Sequence, residues 1–109
     1  MEYACGNVFI REMRFDGMRP IEGHAHNFAH TTYCARGAMR IEALADDGAV
    51  RQAAEIDADK GLSWALISAG VRHRITPLRE GTIGHCIYSH RTPQGEVVQE
   101  FTGWAPAYE

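Results

Sequence analysis

Turn chemistry recurs at short intervals along this chain, and that punctuation limits its fold more than any other feature. Asp16-Gly17, Gly37, Asp46-Asp47-Gly48, Lys60-Gly61, Gly70, Glu80-Gly81 and Pro93-Gln94-Gly95 cut it into short segments. Short segments between such signals read as an all-β sandwich or barrel. The segments agree. Met39 and Ile41 alternate with Arg40 and Glu42, the period of two that marks a half-buried strand. Residues 8–15 alternate less cleanly, but Val8, Ile10 and Phe15 suit a pleated surface.

Residues 62–67, 71–78 and 82–89 are further strand candidates. Propensity alone would let Ala43-Leu44-Ala45 and Gln52-Ala53-Ala54-Glu55 be helical. Asp46-Asp47-Gly48 between them closes a hairpin more naturally, so both flanks are read as strands.

A length of 109 residues suits one domain, expected over 1–109. A net charge of −3 lacks the basic footprint of a nucleic-acid binder. No apolar stretch approaches the roughly 20 residues a membrane-spanning helix needs, so neither nucleic acid nor membrane is expected as a partner. The start, Met1-Glu2-Tyr3-Ala4-Cys5-Gly6, lacks the charged and apolar regions of a signal peptide. Cys5, Cys34 and Cys86 are odd in number and contain no Cys-x-x-Cys pair. Reduced thiols in a cytoplasm fit that pattern better than a disulfide framework. Each is expected to act as a small buried hydrophobe.

The histidines carry the chemistry. His24, His26 and His30 fall within seven residues, and His73 stands alone further on. The first three share parity, so on one regular strand they leave the same face. Neighbours at i and i+2 are then about 6.6 Å apart along the strand, too far for two ligands at about 2.1 Å from one metal. A bulge or a strongly coiled strand near residues 24–30 is therefore required. Spacing alone does not separate a metal site from histidines scattered over surface and core. His85 and His90 have opposite parity, so at most one faces inward.

The surrounding pattern resembles the cupin superfamily. Its first motif runs His-x-His, three or four residues, Glu, six residues, Gly. Here His24-Ala25-His26 precedes Asn27-Phe28-Ala29, then His30 in the glutamate's place, then six residues and Gly37. The second motif centres on Pro-x-Gly-x-x-His, matched by Ser68-Ala69-Gly70-Val71-Arg72-His73 with Ser68 for Pro and Pro77 where Asn is frequent. The resemblance covers about residues 17–89. It implies an all-β, single-domain cupin, that is, a double-stranded β-helix or jelly-roll barrel. Carried over, the metal ligands are His24, His26, His30 and His73. They would hold one divalent ion among Fe, Mn, Ni, Zn and Cu, since imidazole suits several of these. Four neutral imidazoles leave the ion two positive charges where a glutamate would leave one. Such a site favours anionic or chelating oxygen ligands and is a stronger Lewis acid.

Residues 93–104 also resemble the tails of small cupin-like proteins of bacteria and phages, which places Trp104 and Tyr108 over the barrel's edge or a partner subunit. The resemblance implies a homodimer and a small-molecule ligand or substrate. Three uses of the site remain open. The first is a metal-dependent enzyme, an oxygenase or Lewis-acid catalyst, acting on a small chelating molecule. The second is a non-catalytic binding or sensing module with a structural metal. The third is an accessory protein that keeps the scaffold. Tyr33, Tyr88 and His85 are the candidates for a general acid or base.

Overall fold

A computed structural model of the chain describes residues 2–26, 29–61, 63–68, 70–89, 100–102 and 105–106, with the side chains of 2, 4, 5, 23, 24, 26, 100–102, 105 and 106 outside that description. Every regular element among the described residues is a strand. The all-β expectation holds. The strands are β1 (Glu2–Cys5), β2 (Val8–Arg14), β3 (Ile21–His26), β4 (His30–Arg36), β5 (Ala38–Leu44) and β6 (Val50–Asp57). They continue as β7 (Trp64–Ile67), β8 (Arg72–Pro77), β9 (Ile83–Ser89), β10 (Glu100–Thr102) and β11 (Ala105–Pro106). Two sheets form, in the orders β1-β2-β9-β4-β7 and β11-β10-β3-β8-β5-β6. Each strand pairing is antiparallel.

The turn signals locate the breaks. Gly17, Gly37, Gly48, Gly61, Gly70 and Gly81 all take positive φ, the region glycine enters without steric cost. Gly95 lies outside the described residues. Asp46-Asp47-Gly48 closes the β5–β6 hairpin, where Gly48 N–H donates to Ala45 at 2.9 Å and the Asp47 carboxylate accepts from Ala49 N–H at 2.9 Å. Sequence reasoning missed β1, whose hairpin to β2 turns at Gly6.

Alternation decides what lies between the sheets. Successive inward positions are His30, Thr32 and Cys34 on β4, and His73, Ile75 and Pro77 on β8. The interior is thus graded along the barrel. One end is apolar, with Met13, Cys34, Met39, Ile56 and Ile75 in one cluster. At the other end His30 opens β4 and His73 is the first inward residue of β8. The Cys34 and Cys86 side chains are buried among the hydrophobic residues, as expected of small hydrophobes. Burial pushes the Cys34 thiol up, keeping it protonated and inert.

The outer face of the six-stranded sheet is charged. Glu42 is nearly buried and accepts from Arg74 Nε at 2.8 Å, and Arg40 adds a second cation at 3.5 Å. The Arg74 hydrogen bond leads the causes that hold the Glu42 carboxyl below its ordinary 4.5, against the opposing pull of desolvation. A depressed carboxyl stabilises the fold fully above its unfolded value, and that contribution disappears as pH falls through the folded value. Glu42→Gln is therefore expected to cost about 1 kcal/mol at pH 7. The gap from the parent protein should close as thermal melts are repeated at progressively lower pH. A gap that stays constant down to strong acid would contradict the assignment.

Candidate metal centre

The histidines do not share one strand as expected. His24 and His26 lie on β3 of the six-stranded sheet, whereas His30 opens β4 of the five-stranded sheet. The segment between them therefore passes from one sheet to the other. A strand irregularity is present, but it lies before His24 rather than within residues 24–30. Ile21 pairs with Ile75 and His24 with His73, three steps on β3 against two on β8, so β3 carries a bulge. The backbone of His24 consequently lies directly across from His73. The side chains of His24 and His26 lie outside the described residues.

His30 and His73 meet. Their rings are 2% and 1% exposed, with centroids 5.6 Å apart. Nδ1 of His73 lies 3.1 Å from the Val71 carbonyl oxygen. A carbonyl only accepts, so a hydrogen bond here has Nδ1 donating, and in a neutral ring Nε2 then holds the lone pair. Metal-binding imidazoles characteristically show this arrangement, in which the bond behind the ring sets its tautomer and orientation. Val71 escaped sequence reasoning because a backbone acceptor has no residue signature. No group of three or more His, Cys, Asp or Glu converges among the described residues, so the described part of the site is this pair.

The three acid–base candidates separate by parity. Tyr33 and His85 stack at 6.2 Å on the outer face of the five-stranded sheet, beside Trp64, which is 58% exposed. They lie on the opposite side of that sheet from His30. Tyr88 is on the inner side, its ring 6.3 Å from that of His30. His90, Trp104 and Tyr108 lie outside the described residues. The backbones of β10 and β11 do extend the sheet past β3, consistent with a tail laid along that edge.

Sequence reasoning also missed Thr32, two residues from His30 and on the same face. Its side chain is fully buried, and its hydroxyl has no hydrogen-bond partner among the described residues. Cross-strand pairing aligns Arg11, Cys86, Thr32 and Ala65 in one row. The next row aligns His30 with Ile67. Parity with His30 was the signal available for Thr32.

Two facing antiparallel sheets in this order, with histidines at one end of the interior, define a cupin-type jelly roll. Solved structures of that fold superpose on the chain. Oxalate decarboxylase from Bacillus subtilis does so with a TM-score of 0.64 at 18% identity, over 88% of this chain and 24% of that one. The capsular polysaccharide assembling protein CapF from Staphylococcus aureus gives 0.59 at 16% identity, over 84% of this chain and 25% of that one. CapF with the inhibitor 3-isopropenyl-tropolone gives 0.59 at 15% identity, over 84% and 26%. The chain therefore spans about a quarter of these structures' length. No protein-family model and no curated protein matches it. No helix among the described residues is long and apolar enough to cross a membrane.

Proposed function

We propose that the chain binds one divalent metal ion through His24, His26, His30 and His73 and holds a small chelating molecule there. The observation that carries this reading is the His73 ring, buried, 5.6 Å from that of His30, with Nδ1 held at the Val71 carbonyl so that Nε2 is the nitrogen left to ligate. Two buried neutral imidazoles fit Fe, Mn, Ni, Zn or Cu as donors. When bound, such a metal supplies Lewis-acid polarisation of a ligand oxygen. Thr32 offers that ligand a buried hydroxyl, and Arg11 adds a cation to the same cross-strand row, which suits an anionic group. The names of two structural neighbours point the same way. Oxalate and 3-isopropenyl-tropolone both carry oxygens on adjacent carbons, one arrangement that chelates a metal.

Two uses follow from this site. As an enzyme, the protein would be an oxygenase or Lewis-acid catalyst, with Tyr88 as the acid–base candidate beside the histidines. As a sensing or binding module it needs no proton donor. That second use is favoured by the outward placement of Tyr33 and His85. The deciding experiment is metal per chain in tag-free protein expressed with iron, manganese, nickel, copper and zinc together. Close to one equivalent is expected. Iron or manganese would direct screening to oxygen consumption with diketones and 2-oxo acids, and zinc or nickel to isomerisation or plain binding. No metal after reconstitution would overturn the proposal.

A further inference from the structure

A cleft of about 160 Å³ opens between the inner faces of β5, β6, β7 and β8, and His73 forms part of its wall. Ile67, the cross-strand partner of His30, lines it too. Its walls also include Ile41, Ala43 and Ala65, together with the exposed Ala54, Gln52 and Ser68. The space exists because alanines stand where larger side chains would meet across the β6–β7 seam. An enclosed cavity of about 150 Å³ is large enough for benzene; this cleft has a similar volume but is open to solvent on one side, with Ala54 and Leu66 exposed. A doubly charged ligand without carbon substituents, such as oxalate, would leave this cleft unfilled.

We infer that the cleft seats one compact apolar group carried by the ligand whose oxygens the histidines' metal holds. The ligand class is then a small oxygen chelator bearing an aryl or branched aliphatic substituent, such as a substituted 2-oxo acid or hydroxamate. This rests on the four-histidine reading for the chelating end and on the cleft alone for the apolar end. The two parts are separable by experiment. His73 belongs to both, so the substituent and the chelating oxygens lie within one small molecule's reach.

The apolar end is tested on metal-free protein with toluene, following methyl resonances by NMR. Saturable shifts at Ile41, Ala54 and Ile67 are expected, and Ala54→Phe should remove them. Ala54→Leu is the milder second variant, expected to weaken toluene binding while the spectrum confirms the fold. The complete inference is tested on metal-loaded protein with benzohydroxamate and acetohydroxamate. Benzohydroxamate is expected to bind at least about 10-fold tighter, a preference of the size that burying a small ring produces. In Ala54→Phe that preference should fall towards unity at unchanged metal content. Equal binding of both hydroxamates by the parent protein, or toluene shifts elsewhere in the barrel, would overturn the cleft assignment. Toluene binding at the cleft in a protein that takes up no metal would retain the cleft and overturn the histidine reading instead.

Discussion

Replacing His73 with alanine is expected to lower metal affinity by at least about 100-fold and to bring metal content on purification close to zero. The reason is positional. His73 is almost solvent-free, its Nδ1 is engaged by Val71, and its ring approaches that of His30 from the opposite sheet. Disturbing only the hydrogen bond behind a metal-bound histidine typically costs about 10–100-fold, so losing the ligand itself should exceed that range. The truncation also leaves space where a buried ring stood, so circular dichroism must accompany the metal analysis. His73→Gln keeps most of the volume and a polar end, and is expected to fold normally while losing metal almost as completely. His85→Ala is the matched control, because His85 stacks on Tyr33 outside the barrel. Full metal occupancy in a folded His73→Ala or His73→Gln protein would end the four-histidine proposal.

The second large effect concerns Gly37, the glycine that closes the first motif. Its φ is 77°, and a Cβ there would stand 2.4 Å from Thr82 Oγ1 and 3.0 Å from Thr82 Cα. Thr82 cannot easily move aside. It is buried, and its hydroxyl lies 3.1 Å from the Ala38 carbonyl and 2.7 Å from that of Arg79. Alanine would combine a left-handed backbone, at about 1–2 kcal/mol, with an overpacked contact, at about 1–3 kcal/mol. Gly37→Ala is thus expected to lose about 2–5 kcal/mol. In a domain of this size that lowers the melting midpoint by on the order of 10 °C or more. Gly17 separates the two contributions, since its φ is 62° but nothing lies within 4 Å of a Cβ there. Gly17→Ala should therefore show the backbone cost alone. Equal melting losses in the two variants would refute the packing argument.

Much of the architecture was legible because glycines and alternating side chains act locally. Gly17, Gly37, Gly48, Gly61, Gly70 and Gly81 mark turns wherever they stand, and Met39, Arg40, Ile41 and Glu42 reveal their faces to a reader with no structure. The histidine spacing also revealed a geometric problem for a single regular strand, and His30 indeed stands on a different strand from His24 and His26. What stayed hidden depends on pairing between distant segments. Nothing near His30 indicates that it begins a strand in the other sheet. Tyr33 and His85 became outward neighbours only once β4 and β9 were placed in register. The alanines of the cleft carry no local signal either, because the space they leave exists only where β6 comes near β7.

His30 and His73 belong to different leaves of the sandwich, yet their rings approach to 5.6 Å. An ion gripped by both would act as a rivet through the two leaves. Parting or shearing of the barrel at that end would have to break coordination bonds, whereas the opposite end is held by the packing of Met13, Met39 and Ile56. His73 is shared between the riveted end and the wall of the cleft. Ligand entry, breathing of the β6–β7 seam and retention of the ion would then be mechanically coupled.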